Sequence, residues 1–91
     1  MRKSKYKAGT FLYKKDSNLK ESKRVFLHSG YVTADGYGVI FGFTEDGILC
    51  KSSGHGNYQY GGDVRIATLE EIDAFTKEVI LYQDPIREYS L

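Results

Sequence analysis

Residues 37–44 alternate large apolar side chains with smaller ones, and this pattern constrains the fold more than any other part of the chain. Because successive side chains of a β-strand point to opposite faces, the odd-numbered positions of this segment form one large apolar face. Two glycines lie among its even-numbered positions. The Asp46-Gly47 pair that follows favours a tight hairpin turn, and residues 48–52 have the composition of a returning strand. The sequence therefore predicts an antiparallel β-hairpin.

Shorter strands are predicted on both sides of this hairpin. Residues 10–14 and 25–32 are rich in aromatic and β-branched side chains, which favour strands, and residues 64–66 have the same character. Gly30, in the interior of the second strand, predicts a bulge or a bend. The glycine-rich residues 53–62 are predicted to form a loop, within which residues 57–60 leave room for one more short strand.

A single helix is predicted after these strands. Thr68 is followed three residues later by Glu71, the spacing of a capping box in which each side chain bonds the backbone N–H of the other residue. Apolar residues then recur as a stripe that we expect to face the sheet: Leu69, Ile72, Phe75 and Val79. The helix is expected near residues 69–81. Helix and strand both stay open for residues 79–82, and Pro85 stops either one.

These elements predict one domain of 91 residues with a mainly β, α+β fold. We expect a small SH3-like barrel or a strongly curled antiparallel sheet with one C-terminal helix covering one end. The second choice is an open antiparallel sheet with the helix on one face. Residues 1–9 are expected to be a basic flexible arm, residues 10–82 the folded domain, and residues 83–91 a tail.

The passage from the last strand into the capped helix, residues 64–72, resembles the ending of small SH3-like barrel proteins of uncharacterised phage or mobile-element origin. The likeness is close over residues 64–75 and looser in strand order across residues 10–66. It carries no catalytic residue to transfer. The resemblance implies an adaptor or host-interaction role, with the host cytoplasm as the location.

Nucleophiles and metal ligands are too few and too scattered in this chain to predict an enzyme. Cys50 is the only cysteine, which predicts a reducing, cytoplasmic setting, and its alternation with Ile48 predicts a small buried side chain. A Cys50–His55 pair lacks a spacing that enforces contact, and Cys50, His55 and Asp63 match no metal-binding pattern. We therefore expect neither catalysis nor a metal or other cofactor.

Basic and acidic residues are unevenly distributed along the chain. Residues 1–24 contain nine of the thirteen basic residues and two of the twelve acidic ones, a balance of +7, whereas residues 25–91 have a balance of −6. This asymmetry predicts an anion-preferring surface at one end. The alternative function is therefore a single-stranded nucleic-acid-binding barrel with tyrosines as stacking platforms, although the acidic helix would repel a duplex. Its phosphate contacts would come from the basic N-terminal third, chiefly Lys14, Lys15, Lys20, Lys23 and Arg24, together with the arm residues Arg2, Lys3, Lys5 and Lys7.

The favoured function is a non-enzymatic module that engages a protein partner. Small barrels present aromatic grooves to extended peptides, and tyrosine is common at interface hot spots. The candidate contact residues are Tyr31, Tyr37, Tyr58 and Tyr60. An exposed strand edge, or the opposite charges of the two ends, would also permit a homodimer. No apolar run approaches the length of a membrane span, so no membrane partner is expected.

Overall fold

Residues 2–53 and 58–89 are described by a computed structural model, in which one sheet of eight strands packs with one α-helix. A short 3-10 turn, Glu21–Lys23, precedes the third strand. In chain order the elements are β1 Arg2–Lys3, β2 Phe11–Lys14, β3 Val25–Thr33, β4 Gly36–Phe43, β5 Leu49–Ser52, β6 Tyr58–Tyr60, β7 Val64–Ile66, α1 Leu69–Leu81 and β8 Arg87–Tyr89.

The two longest strands, β3 and β4, pair with each other at the centre of the sheet. The edge of each that faces away from this pairing contacts two shorter strands. Strand β3 pairs with β2 near its start and with β1 near its end. Strand β4 pairs with β6 near its start and with β5 near its end. The predicted antiparallel hairpin of residues 37–52 is confirmed as β4–β5, with Gly47 in its turn at a φ of 81°.

The strand order β7-β2-β3-β4-β5-β8 is open, with β1 beside β3 and β6 beside β4. The predicted mainly β fold with one C-terminal helix is confirmed in its form as a curled sheet. The sheet is mixed rather than purely antiparallel, because β5 and β8 run parallel. The pairing of β3 with β4 shifts register around His28, and Gly30 lies in this irregular stretch at a φ of 91°. The bend predicted at Gly30 is thus confirmed.

Both ends of the described chain are more ordered than the sequence predicts. Residues 2–3 of the expected flexible arm pair with Tyr31 and Val32, and the N–H of Gly9 donates to the carbonyl of His28 at 2.9 Å. In the expected tail, β8 pairs with β5. The physical reason is the same at both places: β3 and β5 each offer backbone N–H and C=O groups that a neighbouring strand satisfies.

Apolar side chains are buried on both faces of the sheet. One face packs against α1 through Tyr13, Val25, Phe43, Leu49, Ala67 and Phe75. The other face is covered by the curl of the sheet itself and by Tyr6, and its buried residues are Leu12, Phe26, Val39, Tyr60 and Val64. Adjacent residues of β2 therefore serve different clusters, as the alternation of a strand requires.

The helix begins and ends where the sequence predicts, but one residue of its apolar stripe faces the wrong way. The capping box is confirmed: the N–H of Glu71 donates to Thr68 Oγ1 at 3.2 Å, and the N–H of Thr68 donates to Glu71 Oε1 at 2.9 Å. Phe75 is buried, whereas Leu69 is 84% exposed. The two residues are six positions apart, so Leu69 lies about 120° around the helix axis from Phe75. No described helix is long and apolar enough to cross a membrane.

Candidate interaction surfaces

Lys14, predicted as a phosphate contact, lies inside the protein with an exposed fraction of 0%. Its Nζ donates to the carbonyl of Phe43 at 2.6 Å and to Glu45 Oε2 at 3.1 Å. The same Nζ lies 5.1 Å from the ring centroid of Tyr60 and 5.7 Å from that of Tyr58. Burial lowers the pKa of Lys14, and the Glu45 carboxylate opposes that effect. This cation is therefore a structural group and is removed from any nucleic-acid surface.

The other four predicted phosphate contacts are engaged within the fold. Lys15 Nζ lies 3.9 Å from Asp63, and Lys20 Nζ lies 2.6 Å from Glu78. Lys23 Nζ sits 5.2 Å from the ring centroid of Phe43, and Arg24 Nε donates to the carbonyl of Leu19 at 2.7 Å. The structure therefore does not bring the five predicted cations together as one open patch.

The four predicted tyrosine contacts divide between interior and surface. Tyr60 is buried, and its hydroxyl donates to the carbonyl of Asp16 at 2.8 Å. Tyr58 is half-buried and stacks on Tyr89 with ring centroids 6.0 Å apart. Burial raises the pKa of both hydroxyls. Tyr37 is half-buried beside the ring of His28. Tyr31, also half-buried, lines a surface pocket that is described below.

Cys50 is a buried thiol, as predicted. Its Sγ–H donates to the carbonyl of Gly42 at 3.2 Å, and burial raises its pKa, so the thiol stays protonated at neutral pH. The Cys50–His55 pair, for which the sequence predicts no contact, includes a residue outside the described part of the chain. Within residues 2–53 and 58–89, no three His, Cys, Asp or Glu side chains are grouped as metal ligands.

His28 is a buried polar group that sequence reasoning missed. It is 0% exposed, and its ring is surrounded by the rings of Tyr6, Phe26 and Tyr37 at centroid distances of 6.4, 6.4 and 5.8 Å. Nδ1 lies 2.8 Å from the carbonyl of Gly38, so Nδ1 carries the proton and donates it. Nε2 has no hydrogen-bond partner among the described residues. A histidine on a strand gives no sequence signal for this environment.

The outer side of α1 carries large aliphatic side chains, which we call the helix surface: Leu69, Ile80 and Leu81. Their exposed fractions are 84%, 75% and 71%. Leu69 and Ile80 are eleven residues apart, which places them on nearly the same line along the helix, about 16 Å from each other. Between them on this side lies an ion pair in which Lys77 Nζ is 3.1 Å from Asp73 Oδ2. These aliphatic side chains are accessible to a partner.

The second surface surrounds β1, and we call it the basic corner: Arg2, Lys3, Lys5 and Lys7. A pocket of about 260 Å³ lies here, lined in part by Lys3, Lys7, Tyr6 and Tyr31. Lys5 Nζ lies 5.2 Å from the ring centroid of Tyr6. None of the four cations forms an ion pair with a carboxylate in the described part of the chain.

In comparisons with known proteins, no family model, no curated protein and no solved structure matches the chain. The assignment of function therefore depends on the physical character of the surfaces.

Proposed function

We propose that this protein is a non-enzymatic binding or adaptor module that engages a protein partner through the helix surface. The observation that carries this proposal is the exposure of Leu69, Ile80 and Leu81 on one helix of thirteen residues. Transfer of a leucine or isoleucine side chain from water into an interface stabilises a complex by about 1.5–3 kcal/mol. Aliphatic anchors of this kind suit a protein partner, whereas nucleic acids are bound mainly through charge and ring stacking.

The layout of the helix surface indicates the kind of contact it makes. Leu69 and Ile80 lie on one line of the helix, and Leu81 lies about 100° around the helix from Ile80. With the Asp73–Lys77 ion pair between its two aliphatic ends, this side of the helix fits a groove that offers apolar contacts at both ends, or a second helix, the manner in which amphipathic helices are commonly recognised. The resemblance of residues 64–72 to phage and mobile-element proteins supports a host protein as the partner.

The interior of the protein also supports a binding role. Cys50, the only thiol in the chain, is buried and donates to a backbone carbonyl. Lys14 is closed in by Glu45 and by aromatic rings. Both groups act in the packing of the sheet, and neither is placed to reach a substrate from solvent.

The test is capture of a partner from the source cell with two variants of the protein. In the double variant Leu69→Ser with Ile80→Ser, we expect capture of the partner to fall at least about tenfold, since two buried aliphatic anchors are lost. Because both side chains are exposed, the melting temperature should stay within a few degrees of wild type. The matched control is Ile66→Ser, which removes an exposed isoleucine from β7 and should leave capture intact.

Two outcomes would contradict this function. Equal capture by wild type and by the double variant would show that the helix surface contacts no partner. Sedimentation showing a wild-type dimer that the double variant converts to a monomer would make a second copy of this chain the occupant instead.

A further inference from the structure

We propose that the basic corner is a separate binding site for the phosphate backbone of a single-stranded nucleic acid. This inference is independent of the helix surface, because α1 packs on one face of the sheet and Tyr6, beside the corner, packs on the other. It narrows the predicted nucleic-acid contacts to the arm, residues 2–7.

The first step is that the fold leaves these four positive charges without a carboxylate. Elsewhere in the described chain, six basic side chains pair with acidic ones: Lys14, Lys15, Lys20, Lys51, Arg65 and Lys77. Lys3 and Lys7 line the pocket while Arg2 lines a separate one, so these four cations, all without such a partner, spread a positive potential over the corner. That potential is the feature that attracts a phosphate backbone.

The second step is that the backbone of the corner is already held in place. β1 pairs with the end of β3. The N–H of Ser4 donates to the carbonyl of Gly30 at 2.8 Å, and the N–H of Gly9 donates to His28 at 2.9 Å. Tyr6 packs between these points, with its ring centroid 6.2 Å from that of Tyr37. A ligand therefore meets a preformed surface, and little ordering of the chain opposes binding.

The third step is that the pocket offers a neutral donor beside the cations. Ser4 is half-buried in the pocket lining, and its Oγ accepts the N–H of Tyr6 at 3.0 Å, whereas Ser29 is only 4% exposed. No hydrogen bond from the Ser4 hydroxyl to another described residue is present. Hydroxyl groups next to lysines are common contacts of phosphate oxygens.

The fourth step distinguishes a nucleic-acid strand from an acidic protein segment. Lysine is depleted at protein interfaces but dominates contacts with phosphate. The large aliphatic side chains that are exposed in the described chain all lie in residues 66–86, away from this corner. The pocket is instead lined by Tyr6 and Tyr31, and aromatic rings are the surfaces on which bases of a single strand stack.

The experiment measures binding of a fluorescein-labelled oligothymidylate by anisotropy at two salt concentrations. Contacts with four phosphates give a slope of log affinity against log salt of about −2.8. Affinity should therefore fall about fiftyfold between about 50 and about 200 mM salt. In the double variant Lys3→Gln with Lys7→Gln, two contacts remain, so the same change of salt should weaken binding only about sevenfold.

The matched control is Lys51→Gln with Lys77→Gln, which removes the same charge from two exposed lysines far from the corner in sequence. This variant should keep the wild-type affinity and salt slope, and so should the helix-surface variant Leu69→Ser with Ile80→Ser. The inference is overturned if wild type fails to bind the strand at about 50 mM salt, or if both lysine pairs lower affinity equally. It is also overturned if polyglutamate competes as well as unlabelled oligonucleotide. The helix-surface variant distinguishes the two proposals, because it should lose capture of the protein partner while keeping its affinity for the oligonucleotide.

Discussion

The buried His28 should make the protein lose stability in mild acid. Burial lowers the pKa of His28 below its ordinary value of 6.5, and the hydrogen bond to Gly38 only partly opposes this. Between the folded and unfolded pKa values, the unfolded chain binds a proton that the folded chain does not. Stability is therefore complete above pH 6.5 and falls as pH drops below that value. Protonation would place a charge at an Nε2 that has no described partner.

The size of this effect has a ceiling that follows from linkage. If His28 stays neutral in the folded state, the free energy of unfolding falls by about 1.4 kcal/mol at pH about 5.5 and by about 2 kcal/mol at pH about 5, relative to neutral pH. Carboxylates mostly titrate closer to pH about 4, so this window belongs mainly to histidine. The measurement is urea unfolding across the window for wild type and for His28→Asn.

Asparagine can keep a donor near the position of Nδ1 but cannot ionise, so the variant isolates the titration. We expect His28→Asn to be less stable than wild type at neutral pH, by about 1–3 kcal/mol, because a buried ring is lost. Its stability should change little between neutral pH and pH about 5. His55→Asn is the control for the other histidine. The reasoning is wrong if His28→Asn keeps the wild-type acid slope, or if the slope disappears in His55→Asn instead.

Three further variants test the fold. Thr68→Ala should lower the free energy of unfolding by about 1 kcal/mol in urea titrations, because the N-cap acceptor is lost; an unchanged midpoint would contradict the capping box. Hydrogen bonding to Arg65 lowers the pKa of Glu71 from 4.5 to about 2, so Glu71 stabilises the protein above pH 4.5 and this contribution is lost as pH falls toward 2. Glu71→Gln should flatten that segment of the acid-unfolding curve, and an identical curve would disprove the pairing. Gly36→Ala should abolish cooperative melting or lower the melting temperature strongly, since φ is 126° and a Cβ would lie 2.1 Å from the carbonyl oxygen of Tyr60; a wild-type melting curve would show that the turn has another conformation.

The parts of the fold that the sequence predicted well are those specified by neighbouring residues. The β4–β5 hairpin follows from alternation and the Asp46-Gly47 turn, and the start of α1 follows from the spacing of Thr68 and Glu71. Gly30 predicted a bend because a glycine inside a strand often marks a bulge or a bend. In each case the signal and the structure lie within a few residues of each other.

The parts that the sequence could not predict depend on partners far along the chain. Lys14 is buried because Phe43 and Glu45, about thirty residues away, satisfy its ammonium group. β8 pairs with β5 although β6, β7 and the helix lie between them in the sequence. A strand of three residues is too short for its sequence pattern to indicate which strand it pairs with. Leu69 fits the spacing of an apolar stripe by its distance to Ile72, yet it lies about 120° around the helix from the buried Phe75 and is exposed.

The two proposed binding surfaces lie toward the ends of the chain, whereas most of the sheet is formed by the residues between them. Of the nine basic residues that precede position 25, Lys14, Lys15 and Lys20 pair with carboxylates in the described part of the chain, so the largest group of unpaired cations close in sequence is at residues 2–7. The helix surface lies on the far side of the sheet from Tyr6, which supports the basic corner. On these proposals, a protein on α1 and a strand beside β1 approach opposite faces of the sheet. An adaptor requires two separate surfaces of different chemistry, and the position of the two proposed surfaces on opposite faces supports that proposal.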